Sequence, residues 1–370
     1  MNAQPAQPGD SLEAIDTPAL LLDLDAFERN VAAVHGYVAA RGVRVRAHGK
    51  AHRCSQIARL QVAAGAVGIC CQKTAEAEAF VAGGVNDVLV SNVIVGERKA
   101  ARLAALAKRA RITVCVDGML QVEQIGAAAQ AADARMGVLI ELDVGGRRCG
   151  VDAPEDAVAL ARAIASRAPW LEFRGLQAYH GKAQHVRSAT ERAVVAGQAA
   201  ARAARVAAAL RADGHACSQV TGAGTGTYPY EIGSGVYTEV QPGSYALMDL
   251  DYAANEPDPD VPALAHALSL LATVITVRPE HAVLDCGHKC VALDSGLPRV
   301  LAEGWRVRGL ADEHTTIDRG EGAVALSVGQ KLQLLPGHCD PTVNLHDWIV
   351  ATRGGRVQAV WPVDARGASS

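Results

Sequence analysis

The sequence predicts an α/β fold: a (β/α)8 TIM barrel joined to a smaller, mainly antiparallel β domain. Three observations lead there. Short β-branched runs alternate with Ala-rich helical stretches from about residue 25 to residue 245, the pattern of βα units around a parallel sheet. The runs lie at about 43–47, 67–71, 87–91, 112–116, 136–143, 172–179, 216–221 and 236–241, with helices between the first seven and a long one at 190–212; eight strands close a barrel. After Tyr252 the alternation stops, and the Pro- and Asp-rich stretch ANEPDPDVP at 254–262 marks a boundary.

Beyond that boundary, β-branched segments at about 268–277, 282–286, 305–310, 331–335, 347–352 and 356–361 are separated by Gly and Pro turns and predict antiparallel strands. The run ALLLDLD at 19–25 would be one strand too many for the barrel and is assigned to the second sheet. The expected organisation is a segment 1–24 joining the β domain, a barrel over 25–253 and a β domain over 254–370.

Composition sets the outer limits. With 370 residues and 49% hydrophobic content, the chain can bury one large core and a smaller one. A net charge of −3 gives no reason to expect nucleic acid, and the arginines of the 190–212 helix alternate with Ala as on a solvated face. The first ten residues have neither a basic start nor an apolar run, and no stretch is long enough to span a bilayer. Nine cysteines, an odd count with Cys70, Cys71 and Cys115 inside strand-like runs, predict reduced thiols and a cytoplasmic protein. CGHKC at 286–290 has no second cysteine pair, so a structural zinc site is not expected.

In such a barrel the reactive face is the set of positions just after each strand. Unusual polar residues collect there. RAHGKAH with Lys50 follows the first strand, and CCQK with Gln72 the second; DVGGRRCG with Arg148 follows the fifth, and QAYHGKAQH with Tyr179, His180 and His185 the sixth. TGAGTGT at 221–227 follows the seventh and QPGSY at 241–245 the eighth. Glycines after these last two strands let main-chain N–H groups approach a phosphate. TGAGTG alone could be a tight turn, and a dinucleotide site is disfavoured because Pro229 stands where a helix should begin; the second cluster, GSY, favours phosphate. Lys50 by position alone could be a surface charge. Burial and cationic neighbours would lower its pKa and free an amine that condenses with a carbonyl, and an amine facing a phosphate anchor is what pyridoxal phosphate requires. In LLPGHCDPT, an extended backbone would put His338 and Asp340 on one face with Cys339 opposite. They could be ordinary loop residues, or the ligands of a divalent cation, Mn²⁺ first, with Mg²⁺, Co²⁺ or Zn²⁺ as alternatives.

With these residues in place, the chain resembles the fold-type III pyridoxal-phosphate enzymes, and within them the D-threonine aldolase and 3-hydroxy-D-aspartate aldolase group, with D-serine dehydratase more distant. The likeness runs from DTPALLLDLDAFERN at 16–30 to WPVDARG at 361–367, strongest in RAHGKAHRC, GICCQKTAEAEAF, DVGGRRCGV, LQAYHGKAQH, GVYTEVQPGSYALMD and PGHCDPTVNLHDW. The resemblance implies that Lys50 carries the cofactor as an imine. It implies that Thr221, Gly222, Gly224, Thr225 and Gly226, with Gly243, Ser244 and Tyr245, hold the phosphate, that Tyr179 lies by the pyridine ring, and that Gln72 and Arg148 lie close to the cofactor. His338 and Asp340 match the metal pair and His185 the base. The sequence departs from the group at Ala47, where many members have Pro, and at Ala223, where a third glycine is usual.

The implied activity is cleavage of a D-3-hydroxy amino acid of the D-threonine type to glycine and an aldehyde, by a homodimer. Readings kept beside it are cleavage of 3-hydroxy-D-aspartate to glycine and glyoxylate, β-elimination as in a dehydratase, and a carrier that binds pyridoxal phosphate without turnover. Asp340 is a harder ligand than the Cys of dehydratase relatives and favours the aldolase. Lys182, Arg187 and Arg299 are candidates to meet a second substrate carboxylate, and His314 lines the mouth of the site or caps a turn.

Overall fold

The computed structural model describes residues 3–370. Its first sheet runs in a ring: nine segments in which Arg44–Val45 pairs with Glu239–Val240 at one end and Ala47–His48 pairs with Ile69–Cys71 at the other. Arg44–Val45 and Ala47–His48 are halves of one strand interrupted at Arg46, so the nine segments are eight strands of a closed parallel barrel, as expected.

Period-2 burial explains the closure. Cys70, Leu89, Cys115 and Leu139 form an apolar cluster inside the barrel. Their strand neighbours Ile69, Cys71, Val88, Val90, Val114, Val116, Val138 and Ile140 face outward into the main core under the helices. The helices supply the complementary stripe: in Pro154–Ala165 the buried positions are Ala157, Leu160, Ala161 and Ile164, the i, i+3, i+4, i+7 spacing. Helix Ala189–Ala212 keeps Arg202, Arg205 and Arg211 exposed, as a solvated face requires. Arg192 departs from that reading. It is buried, and its guanidinium donates to the carbonyls of Val186, Arg187 and Glu256.

The rest of the barrel interior is a polar ladder. Gln177 and Gln241 exchange amide hydrogen bonds at 2.7 and 3.1 Å, Gln241 donates to Thr221 Oγ1 at 2.8 Å, and Thr221, Gln219 and Arg46 all donate to Glu239 at 2.9 Å. Arg46 also pairs with Asp87 at 2.7 Å.

The second sheet runs, by residue ranges, in the order 305–310, 315–319, 281–284, 268–277, 19–23, 348–353, 356–362, with 331–335 and 299–300 continuing from 268–277. Ala19–Asp23 lies inside it, antiparallel to Leu268–Val277 and parallel to Trp348–Arg353, because ALLL is buried on both faces. Leu20 and Leu22 face the barrel core, and Ala19 and Leu21 a small core with Ala6 and Ile15. The sequence reading omitted Thr315–Arg319, whose only large apolar residue is the buried Ile317. All nine cysteines are free thiols, and among the described residues no helix is long and apolar enough to cross a membrane.

The Arg46–Glu239 pair lies inside the barrel, with side chains 8% and 1% exposed. Arg46→Ala leaves that carboxylate buried and unpaired, and should lower the unfolding free energy by about 3–5 kcal/mol in urea titrations.

Candidate active site

Lys50 lies on the 3-10 turn Gly49–Ala51 directly after the first barrel strand. Gly49 makes that turn possible: a Cβ there would sit 2.5 Å from Phe80 and 2.9 Å from Ile69. The turn is then fastened from the second domain. Arg53 donates to Asn344 Oδ1 at 2.6 Å, Ser55 N–H donates to Asp364 at 3.0 Å, and Lys50 Nζ bonds to the Asp340 carboxylate.

Asp340 reaches Lys50 because the end of the barrel grips the segment before it. Leu250 N–H donates to Pro336 O and Asp251 N–H to Gly337 O, both at 3.1 Å, and Asp249 Oδ2 accepts from Cys339 N–H at 2.9 Å. His338 and Asp340 are therefore not on an extended strand. His338 caps the short helix Cys339–Val343, and Asp340 lies in its first turn. Each also has a partner of its own: Asp340 meets Lys50, and Ser244 Oγ donates to it at 3.4 Å, while His338 Nδ1 lies 2.6 Å from Asp294 Oδ2.

The electrostatics correct one expectation. Burial works to lower the Lys50 pKa, but the Asp340 carboxylate beside it prevails and holds the ammonium above the usual lysine range. Burial likewise opposes ionisation of Asp340, and the Lys50 charge overrides it, keeping the carboxyl well below its usual range. His48, two residues before Lys50, does not add a positive charge: burial, then the Lys50 charge, push its pKa down to about 3. His48 Nδ1 accepts from Lys50 N–H at 3.4 Å, and its Nε2 lies 2.9 Å from the Gln72 carboxamide.

Tyr179 is a near neighbour of Lys50, and burial raises the pKa of its phenol above the usual value. The Arg148 guanidinium lies 5.7 Å from the Tyr179 ring centre and 3.9 Å from Glu141. Burial pushes Glu141 up to about 8 against the pull of Arg148. His185 Nδ1 is 3.0 Å from Asp251 Oδ2, and its ring is tilted over Tyr252 at 5.0 Å. Arg187 takes the other Asp251 oxygen and Asn255 Oδ1.

The two glycine loops meet where Tyr245 N–H donates to Thr225 Oγ1 at 3.0 Å. Among the described residues, nothing accepts from the N–H groups of Gly224, Thr225, Gly243 and Ser244, so four main-chain donors remain for an anion. An amine beside Ser244 and a set of free amide donors fit pyridoxal phosphate. Several expected phosphate residues also have scaffold partners. Thr221 bonds to Glu239 inside the barrel; a Cβ on Gly222 would meet Ala178 O at 2.1 Å; Gly226 N–H donates to Gln184 at 3.1 Å; and the Tyr245 hydroxyl is held by His35 and Gln61. Ala223 has φ +62, the left-handed region where the resemblance leads one to expect glycine. A helix does begin here, Tyr228–Gly233 with Pro229 as its second residue, because a proline in the first turn gives up only an N–H that has no helical partner.

Asp249, Asp251 and Asp294 were not singled out in the sequence. LMDLDY at 247–252 directly follows the eighth strand's loop and carried that signal; nothing in VALDSG at 291–296 links Asp294 to His338. His314 is exposed in a turn. The raised Glu141 pKa gives a test. Its folded value lies above its unfolded one, so its contribution to stability is complete below about pH 4.5 and is lost as pH rises through about 8. Between pH 6 and 9 the melting temperature of wild type should fall relative to Glu141→Gln, and parallel curves would refute this.

A family model described as alanine racemase, N-terminal domain, matches residues 22–251, and a serine dehydratase domain matches 267–352. The chain is 47% identical over 368 residues to a D-threonine aldolase of an Arthrobacter species, covering 99% of this chain and 96% of that one. It is 44% identical to the 3-hydroxy-D-aspartate aldolase of Paracoccus denitrificans (strain Pd 1222), covering 98% and 95%. The crystal structure of D-threonine aldolase from Filomicrobium marinum matches with a TM-score of 0.95 at 46% identity, covering 99% of this chain and 100% of that one. Ring-closed barrel and second sheet agree with these matches over the whole length: the chain belongs to the D-threonine aldolase and 3-hydroxy-D-aspartate aldolase group of the alanine racemase-like, fold-type III pyridoxal-phosphate enzymes, a group of lyases.

Proposed function

We propose that the protein cleaves D-3-hydroxy amino acids of the D-threonine type to glycine and an aldehyde, using pyridoxal phosphate on Lys50 and a divalent cation at His338 and Asp340. The observation that carries this is the meeting of Asp340 with Lys50: a hard oxygen ligand from one domain stands against the cofactor amine of the other. Cα and the β-oxygen of such a substrate are neighbours, so the groups acting on them must be neighbours too. Among the described residues no three His, Cys, Asp or Glu side chains gather as a metal cage. Two protein ligands with open positions suit a catalytic cation, Mn²⁺ by ligand hardness, better than a structural one.

When bound, pyridoxal phosphate supplies an electron sink for the pair left on Cα, and the cation lowers the pKa of the β-hydroxyl. The rest falls to the chain. Gly224, Thr225, Gly243 and Ser244 offer N–H donors to the phosphate. His185, fixed through Nδ1 by Asp251, presents Nε2 to take the β-hydroxyl proton as the Cα–Cβ bond breaks. An equivalent proton returned to Cα completes glycine. Tyr179 and Arg148 wall the ring side, with His48 and Gln72 behind Lys50.

Arg187, one cation considered for a second substrate carboxylate, is committed to Asp251 and Asn255, so Lys182 and Arg299 are the candidates left to meet a β-carboxylate. We place the enzyme in the cytoplasm as a homodimer acting on a small-molecule substrate, with neither nucleic acid nor membrane as partner.

The decisive measurement is a steady-state panel of D-threonine, D-phenylserine and 3-hydroxy-D-aspartate with added Mn²⁺. Glycine and aldehyde are expected; ammonia and a keto acid would instead establish elimination, and no product from cofactor-loaded protein a carrier. Chelator treatment should abolish turnover while the cofactor absorbance stays. Asp251→Asn should lower kcat by about 10²-fold or more, in keeping with loss of a general base's orientation, as steady-state assays with D-threonine would show.

A further inference from the structure

The His338 imidazole has two nitrogens, and the structure commits one. Nδ1 lies 2.6 Å from Asp294 Oδ2, on a side chain that is half exposed, whereas His338 is three-quarters covered (26% exposed). A neutral imidazole whose Nδ1–H donates to a carboxylate carries its lone pair on Nε2, which fixes both the tautomer and the ring plane. Histidines that ligate metals are commonly held this way.

The contact is built into the fold. The loop at 291–296 and the segment at 336–338 press backbone to backbone: a Cβ on Gly337 would come within 2.8 Å of Gly296 O and 3.2 Å of Ser295 O. That approach needs glycine, and it delivers Asp294 to the residue next in line. The loop is pinned to the helix that His338 caps. Ala292 N–H donates to Thr342 Oγ1 at 3.2 Å, Thr342 Oγ1 donates to His338 O at 2.7 Å, and His346 Nε2 donates to Cys290 O at 2.7 Å. Barrel residues grip the other side, through Gly337 O and Cys339 N–H. His338 is thus fixed along its main chain by two domains and along its ring by Asp294.

We infer that Asp294 is the positioning residue of the metal site, holding His338 with Nε2 presented as the ligand nitrogen. This rests on the reading of His338 and Asp340 as metal ligands. Asp294 would act through His338 and not on substrate.

The test is Mn²⁺ titration of the pyridoxal-phosphate-loaded protein, followed by the electron paramagnetic resonance signal of free Mn²⁺, with the cofactor absorbance and melting temperature recorded for each variant. Asp294→Ala should raise the Mn²⁺ Kd by about 10–100-fold while leaving cofactor absorbance and melting temperature near wild type. Asp294→Asn keeps an acceptor oxygen and should recover most of that loss. A Kd for Asp294→Ala within twofold of wild type, when His338→Ala has lost binding, overturns the role of Asp294 alone. If wild type shows no saturable Mn²⁺ binding, or His338→Ala binds as wild type does, the metal reading falls and this inference with it.

Discussion

The site exists because a barrel turn and the first turn of a helix from the other domain, 290 residues apart in sequence, are brought together at Lys50 and Asp340. Neither partner is placed by its own domain alone. The glycine at 49 lets the lysine's turn lie against Phe80, and main-chain bonds from Leu250 and Asp251 hold the segment that leads into the helix of Asp340. The opposite charges then reinforce a contact that packing has already arranged. Each overcomes the desolvation of the other, which a lone buried charge could not do.

The barrel makes that placement firm. Half its interior is apolar, and the other half is a chain of hydrogen bonds from Arg46 and Glu239 at the lower end to Gln177 and Gln241 nearer the reactive face. The ladder resists slippage of one strand against another, because a shift would leave buried donors unpaired, although all three donors to Glu239 converge on Oε1 and Oε2 has no partner among the described residues. Strand ends held in this way deliver Lys50, Gln72, Tyr179 and the glycine loops in fixed register.

A second regularity is the pairing of the candidate site's histidines with carboxylates. His185 leans on Asp251 and His338 on Asp294, so each ring has one nitrogen spoken for and one presented. His48 is treated differently. Buried beside Lys50 and bonded to the Gln72 amide, it stays neutral and serves as packing behind the lysine. Asp251 serves both halves of the site, its carboxylate holding His185 and its N–H holding Gly337.

Much of this was legible in the chain. Strand count and closure followed from alternation because inward and outward residues of a parallel strand are both apolar, and such runs stand out between Ala-rich helices. Lys50, Gln72, Arg148 and Tyr179 could be singled out because strand ends are where such a barrel displays its polar groups. Thr315–Arg319 escaped notice because its evidence was a single buried isoleucine, and Pro229 misled because a proline that breaks a helix interior is harmless in its first turn. The geometry of HCD was beyond local reasoning: extended in isolation, it becomes a helix cap once Asp249 accepts from Cys339 N–H. The pKa of Lys50 and the identity of Asp294 as the partner of His338 are likewise matters of tertiary structure. Local sequence determines which groups a segment carries and its periodicity; which charge stands opposite which is decided only when distant backbones meet, since electrostatic interactions depend on distances that no one segment sets.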